Sequence, residues 1–513
     1  MTINNSRQLK MGVILSYGQI FLNVIIQLVY TPLMIRYLGQ SEYGLYNVVA
    51  STIQILSILN LGFNGSYLRF FSKYKRENDE ESIHKLNGLF LIIFLVLGAI
   101  AFALGMFLTF RLDLVFEEGL TASEYGIAKW LMLLFTCNLA ISFPATVFIC
   151  IISAHERFIV LKALGMLKTV ASPIITIPFL VFGYGSIAVV AVTIGISILT
   201  DTLYLFYVLF KIKSKFIFRD FEKGLFKSLL IFTSFIAINL IVDQVNNNMG
   251  KILLGRFKGT DAAAVYSVGY TLYQFYMLFS TSISGVFSPR VHTMIKATEG
   301  DPEKQRAEIT SLFIRVGRMQ FMILCLIAFG LLFFGKQFIA IWAGEEYQEA
   351  YYVMLLLVFS ATIPLVQNLG IEIQRAINKH YFRSIAYLCM AVLNVIVTVL
   401  FVQTLGATGA ALGTAISLIV ANGLAMNIYY HKKCNIDIVA FWKSIARLFV
   451  AILPAVVFGT LVSVLLDLSN IWIFLGMACV YGGVYFVSLF LFGLNVEEKA
   501  FVKKILKRGQ RNA

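Results

Sequence analysis

The chain has 513 residues, 59% of them hydrophobic and only 13% charged, against about 25% charged for a soluble protein, which excludes a soluble globular chain and implies an all-α polytopic membrane protein. Six cysteines without a C-x-x-C pair and five histidines in short polar loops without ligand spacing give neither a disulfide framework nor a zinc site. The net charge of +15 invites a nucleic-acid reading, which its distribution along the chain excludes.

A membrane span needs roughly 17–25 mostly apolar residues. The first such stretch, 11–35, follows Arg7 and Lys10 and has no small-residue cleavage site, so it reads as a retained span. Spans 45–66, 88–110, 130–152, 167–183 and 186–210 follow. "TASE" at 121–124 has the capping-box pattern that starts a helix ahead of the fourth. The segment 211–227, "KIKSKFIFRDFEKGLFK", sets Phe218, Phe221 and Leu225 at helical spacing among basic residues and is predicted to be an amphipathic linker on the inner leaflet. Eight more spans are predicted at 228–253, 263–285, 312–334, 351–373, 382–403, 407–430, 446–466 and 471–493. A basic tail over 494–513 ends the chain, with Phe501, Val502, Ile505 and Leu506 spaced in the same way.

Fourteen spans put both termini on one side. That side holds 35 of the 42 Lys and Arg and the other holds seven; acidic residues divide 14 to ten, with three inside spans. One side is therefore +21 and the other −3. Because Lys and Arg stay inside, both termini are predicted to be cytoplasmic. The charge is a topology signal, and no nucleic acid is implied.

The chain repeats itself at an offset of 220 residues. "LMIRYLGQSEYGLYNV" (33–48) meets "LLGRFKGTDAAAVYSV" (253–268) without a gap. Gln19, Asn23 and Gln27 of the first span meet Asn239, Asp243 and Asn247 of the seventh, each set stepping by four along one helix face. Gln54 meets Gln274, and Asn60 and Asn64 meet Ser280 and Ser284. Later, "SFP" at 142–144 meets "TIP" at 362–364, and after a three-residue shift Phe182 and Gly183 meet Leu405 and Gly406. Two parallel six-span lobes are predicted, 1–210 and 228–434, joined by the linker 211–227 and followed by two extra helices in 435–493 and the tail 494–513. Such duplication points to alternating access with a site between lobes. Asp243 lies about 22 Å into its helix, and a polar face at that depth must look at protein or water. Isolated Asn138, Asn394 and Asn422 read as interhelical packing contacts.

The sequence resembles the multidrug/oligosaccharidyl-lipid/polysaccharide exporter superfamily and, within it, the Wzx-type oligosaccharide flippases. "YLGQSEYGLYNV", "LLGRFKGTDAAAVYSV", "SAHERF" (153–158), "WAGEEYQEA" (342–350) and "LGATGAALGTAIS" (405–417) carry the resemblance. It implies two six-helix bundles around a cavity lined by the first, second, seventh and eighth helices. It also implies transfer of undecaprenyl-diphosphate-linked oligosaccharide to the outer leaflet of a bacterial cytoplasmic membrane. Membrane lipid and a polysaccharide polymerase machinery are the implied partners.

On that reading, Gln19, Asn23, Gln27, Gln54, Asn239, Asn247 and Gln274 offer amides to sugar hydroxyls. Arg36, Arg256 and Lys251 near the outer mouth, with Arg69 and Arg290 near the inner one, are candidates for the diphosphate. Arg69 and Arg290 are equally ordinary positive-inside residues. Asp243 reads either as a site for H⁺ or Na⁺ coupling or as a hydrogen-bonded carboxyl among asparagines; no other cofactor is implied. Glu372 and Arg375 read as a local ion pair, and Asp201 carries no assigned role.

Two other transporters are weighed. A lipid II flippase uses arginines within its first, second and eighth helices where this chain has amides, and a drug or cation antiporter wants several acids in apolar walls. An envelope polymerase or ligase, the enzymatic reading, usually presents a large outer loop. Here the longest is about 111–129, and no histidine lies on the outer side.

Overall fold

The computed structural model describes residues 3–117, 120–221, 224–298, 300–377, 379, 381–496 and 498–500. Among them every element of secondary structure is a helix. Among the described residues, ten stretches are long and apolar enough to cross a membrane, two of them, Leu15–Arg76 and Tyr381–Lys433, much longer than one crossing needs.

Those two are divided at glycine. Helix α1 (Ile3–Ile55) breaks at Gly39, at φ 74°, and α12 (Tyr381–Leu418) breaks at Gly406, at φ 54°. Both are conformations that a side chain disfavours. Phe401 and Gly409 meet across the second break, where an added Cβ on Gly409 would stand 2.2 Å from the Phe401 carbonyl oxygen. The repeat predicts where these breaks recur. Gly259, the counterpart of Gly39, has φ 81° and opens α8 (Gly259–Ala297) directly after α7 (Leu225–Phe257). Gly183, the counterpart of Gly406, also has φ 81°, between α5 (Phe158–Val181) and α6 (Gly185–Phe206). Equivalent sequence positions thus carry equivalent backbone turns.

The chain divides into two compact units, Met1–Ser267 with Thr398–Ala410, and Val268–Val397 with Ala411–Ala513. The first is built on α1, α2 (Phe63–Arg76), α3 (Glu80–Phe110), α4 (Ala122–Ala154), α5, α6 and α7. Its core is an aromatic cluster in which Phe63, Tyr67, Phe71, Phe90, Phe94 and Phe143 are all nearly inaccessible, held by close packing, since lipid is as apolar as the core. The buried Tyr67 hydroxyl donates to Asn87 Oδ1 at 2.7 Å, so the one polar atom of that ring is satisfied. The predicted capping box forms: Glu124 N donates to Thr121 Oγ1 at 3.3 Å and Thr121 N to Glu124 Oε2 at 2.9 Å.

Residues 213–221 of the linker are not helical, contrary to the spacing of its phenylalanines. The segment lies on α3: Ile217 N donates to the His84 carbonyl at 3.1 Å, and Asn87 Nδ2 donates to the Lys215 carbonyl at 3.2 Å. Phe216 and Phe221 pack against the aromatic cluster. Tertiary burial on one side therefore overrides the helical period. The hydrophobic positions of the tail, Phe501 to Leu506, lie outside the described residues.

The second unit is organised by α9 (Pro302–Trp342), which packs against α10 (Ala350–Val366), α11 (Leu369–Ala376), α14 (Ile438–Leu465) and α15 (Ile471–Ser488). α13 (Asn427–Lys433) leads from α12 into α14. Buried Gln320 of α9 donates to Ser280 Oγ and its carbonyl, at 3.1 and 3.2 Å, and Ser280 Oγ donates to the Leu365 carbonyl at 2.8 Å. The predicted Glu372–Arg375 pair forms at 2.7 Å. Pro144 sits inside α4, whereas its counterpart Pro364 ends α10, which resumes as α11 after Gln367 and Asn368.

Candidate functional site

In the first unit the polar residues of α1 and α7 sit at matched depth. Asn23 precedes Gly39 and Asp243 precedes Gly259 by the same 16 residues, about 24 Å of helix. Asn23, Asn239, Asp243 and Asn247 are exposed, and Gln27, half-buried, donates to Asn23 Oδ1 at 3.2 Å. Gln19 lies instead against α5, its side-chain amide 2.9 Å from where a Cβ on Gly165 would stand. Asn248, one step round from Asn247, is buried and donates to Gln244 Oε1 at 2.8 Å. The asparagine run of α7 thus has an exposed face and a packed one.

Gln54 is exposed in the last turn of α1. It precedes a 3₁₀ turn, Leu56–Asn60, followed by Leu61 and Gly62 in left-handed conformations, before α2 begins. α7 packs against both this turn and α2. A broken helix at membrane depth persists only beside protein or water. The sequence reading carried one uninterrupted span, 45–66, through this point, although "NLGFNG" (60–65) is a usable signal for the break. Beyond it, Asn64 accepts from the Cys150 thiol at 3.3 Å, and exposed Arg69 lies on α2.

The ends of the helices that the charge asymmetry assigns to the outside are joined by polar contacts. Ser41 donates to Glu124 Oε1 and lies 3.0 Å from Thr260 Oγ1, and Thr260 lies 3.4 Å from the same carboxylate oxygen. Glu42 accepts from Ser186 N at 2.6 Å at the start of α6. Arg256 pairs with Glu117 at 2.9 Å and donates to the Leu114 carbonyl at 2.6 Å. Arg36 is exposed, and Lys251 is half-buried on α7. Sequence reasoning missed this cluster because Ser41 and Thr260 are common polar loop residues, and Glu124 was spent on its capping box.

In the second unit Gln274 and Arg290 of α8 are exposed. Arg290 lines a cavity along α9 with Arg306, Arg315 and Arg318, three arginines the sequence reading had counted only as topology signals. Arg318, 4% exposed in its side chain, holds Glu498 through two 2.8 Å hydrogen bonds. It also donates to the Gly493 carbonyl and to Ser444, tying α9, α14 and the segment after α15 together. Burial opposes the charge on Glu498, but Arg318 overcomes it and holds the carboxyl below the usual range.

A model of the family described as polysaccharide biosynthesis protein matches residues 9–295, more than half of the chain. A protein of Haloferax volcanii described as a probable low-salt glycan biosynthesis flippase, Agl15, is 24% identical over 288 residues, 54% of this chain. The match takes in 56% of that protein, so this chain spans little more than half the length of the curated relative. Among solved structures, the lipid II flippase MurJ in an inward closed conformation is similar with a TM-score of 0.72 and 17% identity, over 94% of this chain and 98% of that one. An inward-facing multidrug resistance MATE family transporter of the MOP superfamily is similar with a TM-score of 0.62 and 16% identity, over 82% and 96%. At these identities the likeness to solved structures is one of fold.

Proposed function

The chain belongs to the polysaccharide biosynthesis protein family, and from that premise we propose that it is a flippase for a glycan carried on a polyprenyl diphosphate. In this reading it moves undecaprenyl-diphosphate-linked oligosaccharide from the inner to the outer leaflet of the cytoplasmic membrane by alternating access, through fourteen spans with both termini inside. The observation that carries it is exposed Asn23 of α1, with Gln27 hydrogen-bonded to it, at the same helical distance from its glycine break as the exposed row Asn239, Asp243 and Asn247 of α7, beside the broken helix at Leu56–Asn60.

The physics of the cargo fits such a surface. A sugar chain cannot cross hydrocarbon without replacing its water hydrogen bonds, and each unsatisfied polar group costs several kcal/mol there. Asn and Gln offer both donors and acceptors, so Asn23, Gln27, Gln54, Asn239 and Asn247 can exchange partners as hydroxyls pass. The lipid tail needs no such help and stays in the bilayer. Asp243, the one acid of these rows, is assigned to coupling: taking up H⁺ or Na⁺ neutralises it and alters how the face holds its cargo.

Arg36 is assigned to the diphosphate at the outer end. Arg256 reaches the same end only by exchanging Glu117 for phosphate, so its ion pair is assigned to the closed state of that end. Ser41, Glu124 and Thr260 close it in the same way. A lipid II flippase is the second reading, favoured by the TM-score of 0.72; amides rather than arginines at Gln19, Asn23, Gln27, Gln54 and Gln274 favour the oligosaccharide.

The experiment is mass spectrometry of lipid-linked glycans in cells lacking the protein, complemented with wild type. A completed polyprenyl-linked unit that accumulates and is cleared by wild type is the expected result. Accumulation of lipid II instead would move the assignment to that substrate. No accumulated lipid-linked sugar, with surface glycan unchanged, would overturn the reading.

A further inference from the structure

Away from the polar rows, the second unit contains a cavity of about 1920 Å³ along α9, walled also by the end of α8 and by α15 with the residues that follow it. Small-ligand pockets run to roughly 1,000 Å³, so this one has room for a larger molecule. Its wall changes character along α9. Arg306 and Arg315, with Arg290 of α8, line the end near the start of the helix, and Met319, Met322, Ile323 and Leu326 follow, faced by Phe486 and Phe490. Arg315 and Leu326 are 11 residues apart, about 16 Å of helix, which matches half of a hydrocarbon core of about 30 Å. The cavity is therefore cationic at one end and apolar at the other, over the depth of one leaflet.

The acidic residues facing it are largely committed. Glu498 is held by Arg318, and Asp437 caps α14 by accepting from Ala440 N at 2.9 Å. Glu303 remains, in the first turn of α9. Among the described residues Arg290, Arg306 and Arg315 form no ion pair.

We infer that this cavity binds an anionic phospholipid of the cytoplasmic leaflet, its phosphate among Arg290, Arg306 and Arg315 and its acyl chains along Met322, Ile323, Phe486 and Phe490. A guanidinium presents a planar fork that matches phosphate oxygens and is weakly hydrated, so it suits a site at the edge of hydrocarbon. Anionic lipid is enriched where basic residues gather on the cytoplasmic side, and the topology reading puts the start of α9 there. Two other occupants fit less well. The chain's own segment 501–513 has five Lys or Arg and no acid, the same sign as the cavity. A lipid-linked glycan would bring many hydroxyls, whereas the neutral polar side chains in this wall are Thr310, Ser311, Tyr485 and Asn495.

The test is native mass spectrometry of the purified full-length protein released from nanodiscs of phosphatidylcholine with phosphatidylglycerol as the minority lipid. Wild type is expected to retain phosphatidylglycerol, and the Arg306→Gln/Arg315→Gln double variant to retain it about tenfold less. Ile323→Trp, which fills the apolar end and leaves the arginines in place, is expected to lower retention too. Unchanged melting temperatures separate these effects from misfolding. Equal retention of both lipids by wild type, or phosphatidylglycerol held equally by all three proteins, would overturn the proposal. So would displacement of phosphatidylglycerol by added polyprenyl diphosphate at equal concentration, which would make the cavity a substrate site. The readout needs no transport, so failure of the flippase reading leaves it standing.

Discussion

A β-carbon on Gly44 would stand 1.9 Å from the carbonyl oxygen of Thr260. The second half of α1 and the start of α8 therefore touch backbone to backbone. The same hypothetical carbon would lie 3.2 Å from Cβ of Ala264, the residue that occupies the position of Gly44 in the second repeat. Two equivalent positions of a duplicated sequence thus meet at the end of the first unit where α1 breaks and α8 begins. The neighbouring contact is as tight: an added Cβ on Gly255 would come within 2.6 Å of Val48.

If this approach is one of two states that the proposed transport cycle must visit, enlarging Gly44 should remove it. Gly44→Val is expected to disfavour the closed outer end by about 1–3 kcal/mol, the usual cost of overpacking. Transport would fall about 5–150-fold while membrane insertion stays near wild type. Quantitative complementation in the deletion strain, with surface expression measured alongside, checks this. Wild-type transport by Gly44→Val would show that the contact is dispensable.

Ser41 and Thr260 have their hydroxyl oxygens 3.0 Å apart, so cysteines at the two positions would set their sulfurs beside one another. In a background without the six native cysteines, Ser41→Cys/Thr260→Cys is expected to crosslink under mild oxidant and stop transport. A reductant should restore it. Crosslinking without loss of transport would mean that this end does not open during the cycle.

Much of this arrangement could be read from residues alone, and the boundary is physical. Gly39 and Gly259 were legible because both a turn and a repeat demanded them, and both have positive φ. The linker 211–227 was misread because its phenylalanine spacing fits a helix, while the burial that decides its shape comes from α3 and α4, distant in sequence. The 3₁₀ break at Leu56–Asn60 hid inside a stretch whose hydropathy is continuous. Rows of amides one turn apart announced a polar face, but the cluster of Ser41, Glu124 and Thr260 joins three elements and has no local signature. Arg306, Arg315 and Arg318 had already been explained by topology, which concealed their common cavity.

Asp243 is the only acid on the amide rows of α1 and α7. If it couples transport to an ion, Asp243→Asn keeps its size and hydrogen bonding but fixes its charge. Transport in that variant is expected to fall at least about tenfold and to lose its dependence on proton or Na⁺ gradients, with headgroup binding retained. Asn394→Ala, at a buried residue that accepts from Thr414 at 3.3 Å, is the control and should keep most of its activity. A gradient response unchanged in Asp243→Asn would move coupling elsewhere.

Arg318 and Glu498 supply the pH prediction. Burial alone would raise the Glu498 carboxyl, but the Arg318 guanidinium outweighs it, so the folded-state pKa lies below the ordinary carboxylate value. A depressed pKa adds stability above the unfolded-state value, about 4.3, and that contribution is lost as pH falls through the folded-state value. Stability of the purified protein should therefore drop on acidification below about pH 4.3, and Glu498→Gln should flatten that part of the profile. Removing the other partner is harsher: Arg318→Ala leaves a carboxylate with 18% side-chain exposure and without its ion-pair partner. Breaking one side of a buried pair costs about 3–5 kcal/mol, so Arg318→Ala should melt well below Glu498→Gln at neutral pH. Equal melting temperatures for the two variants would mean that the pair is solvated and that the junction of α9, α14 and the segment after α15 is held by packing alone.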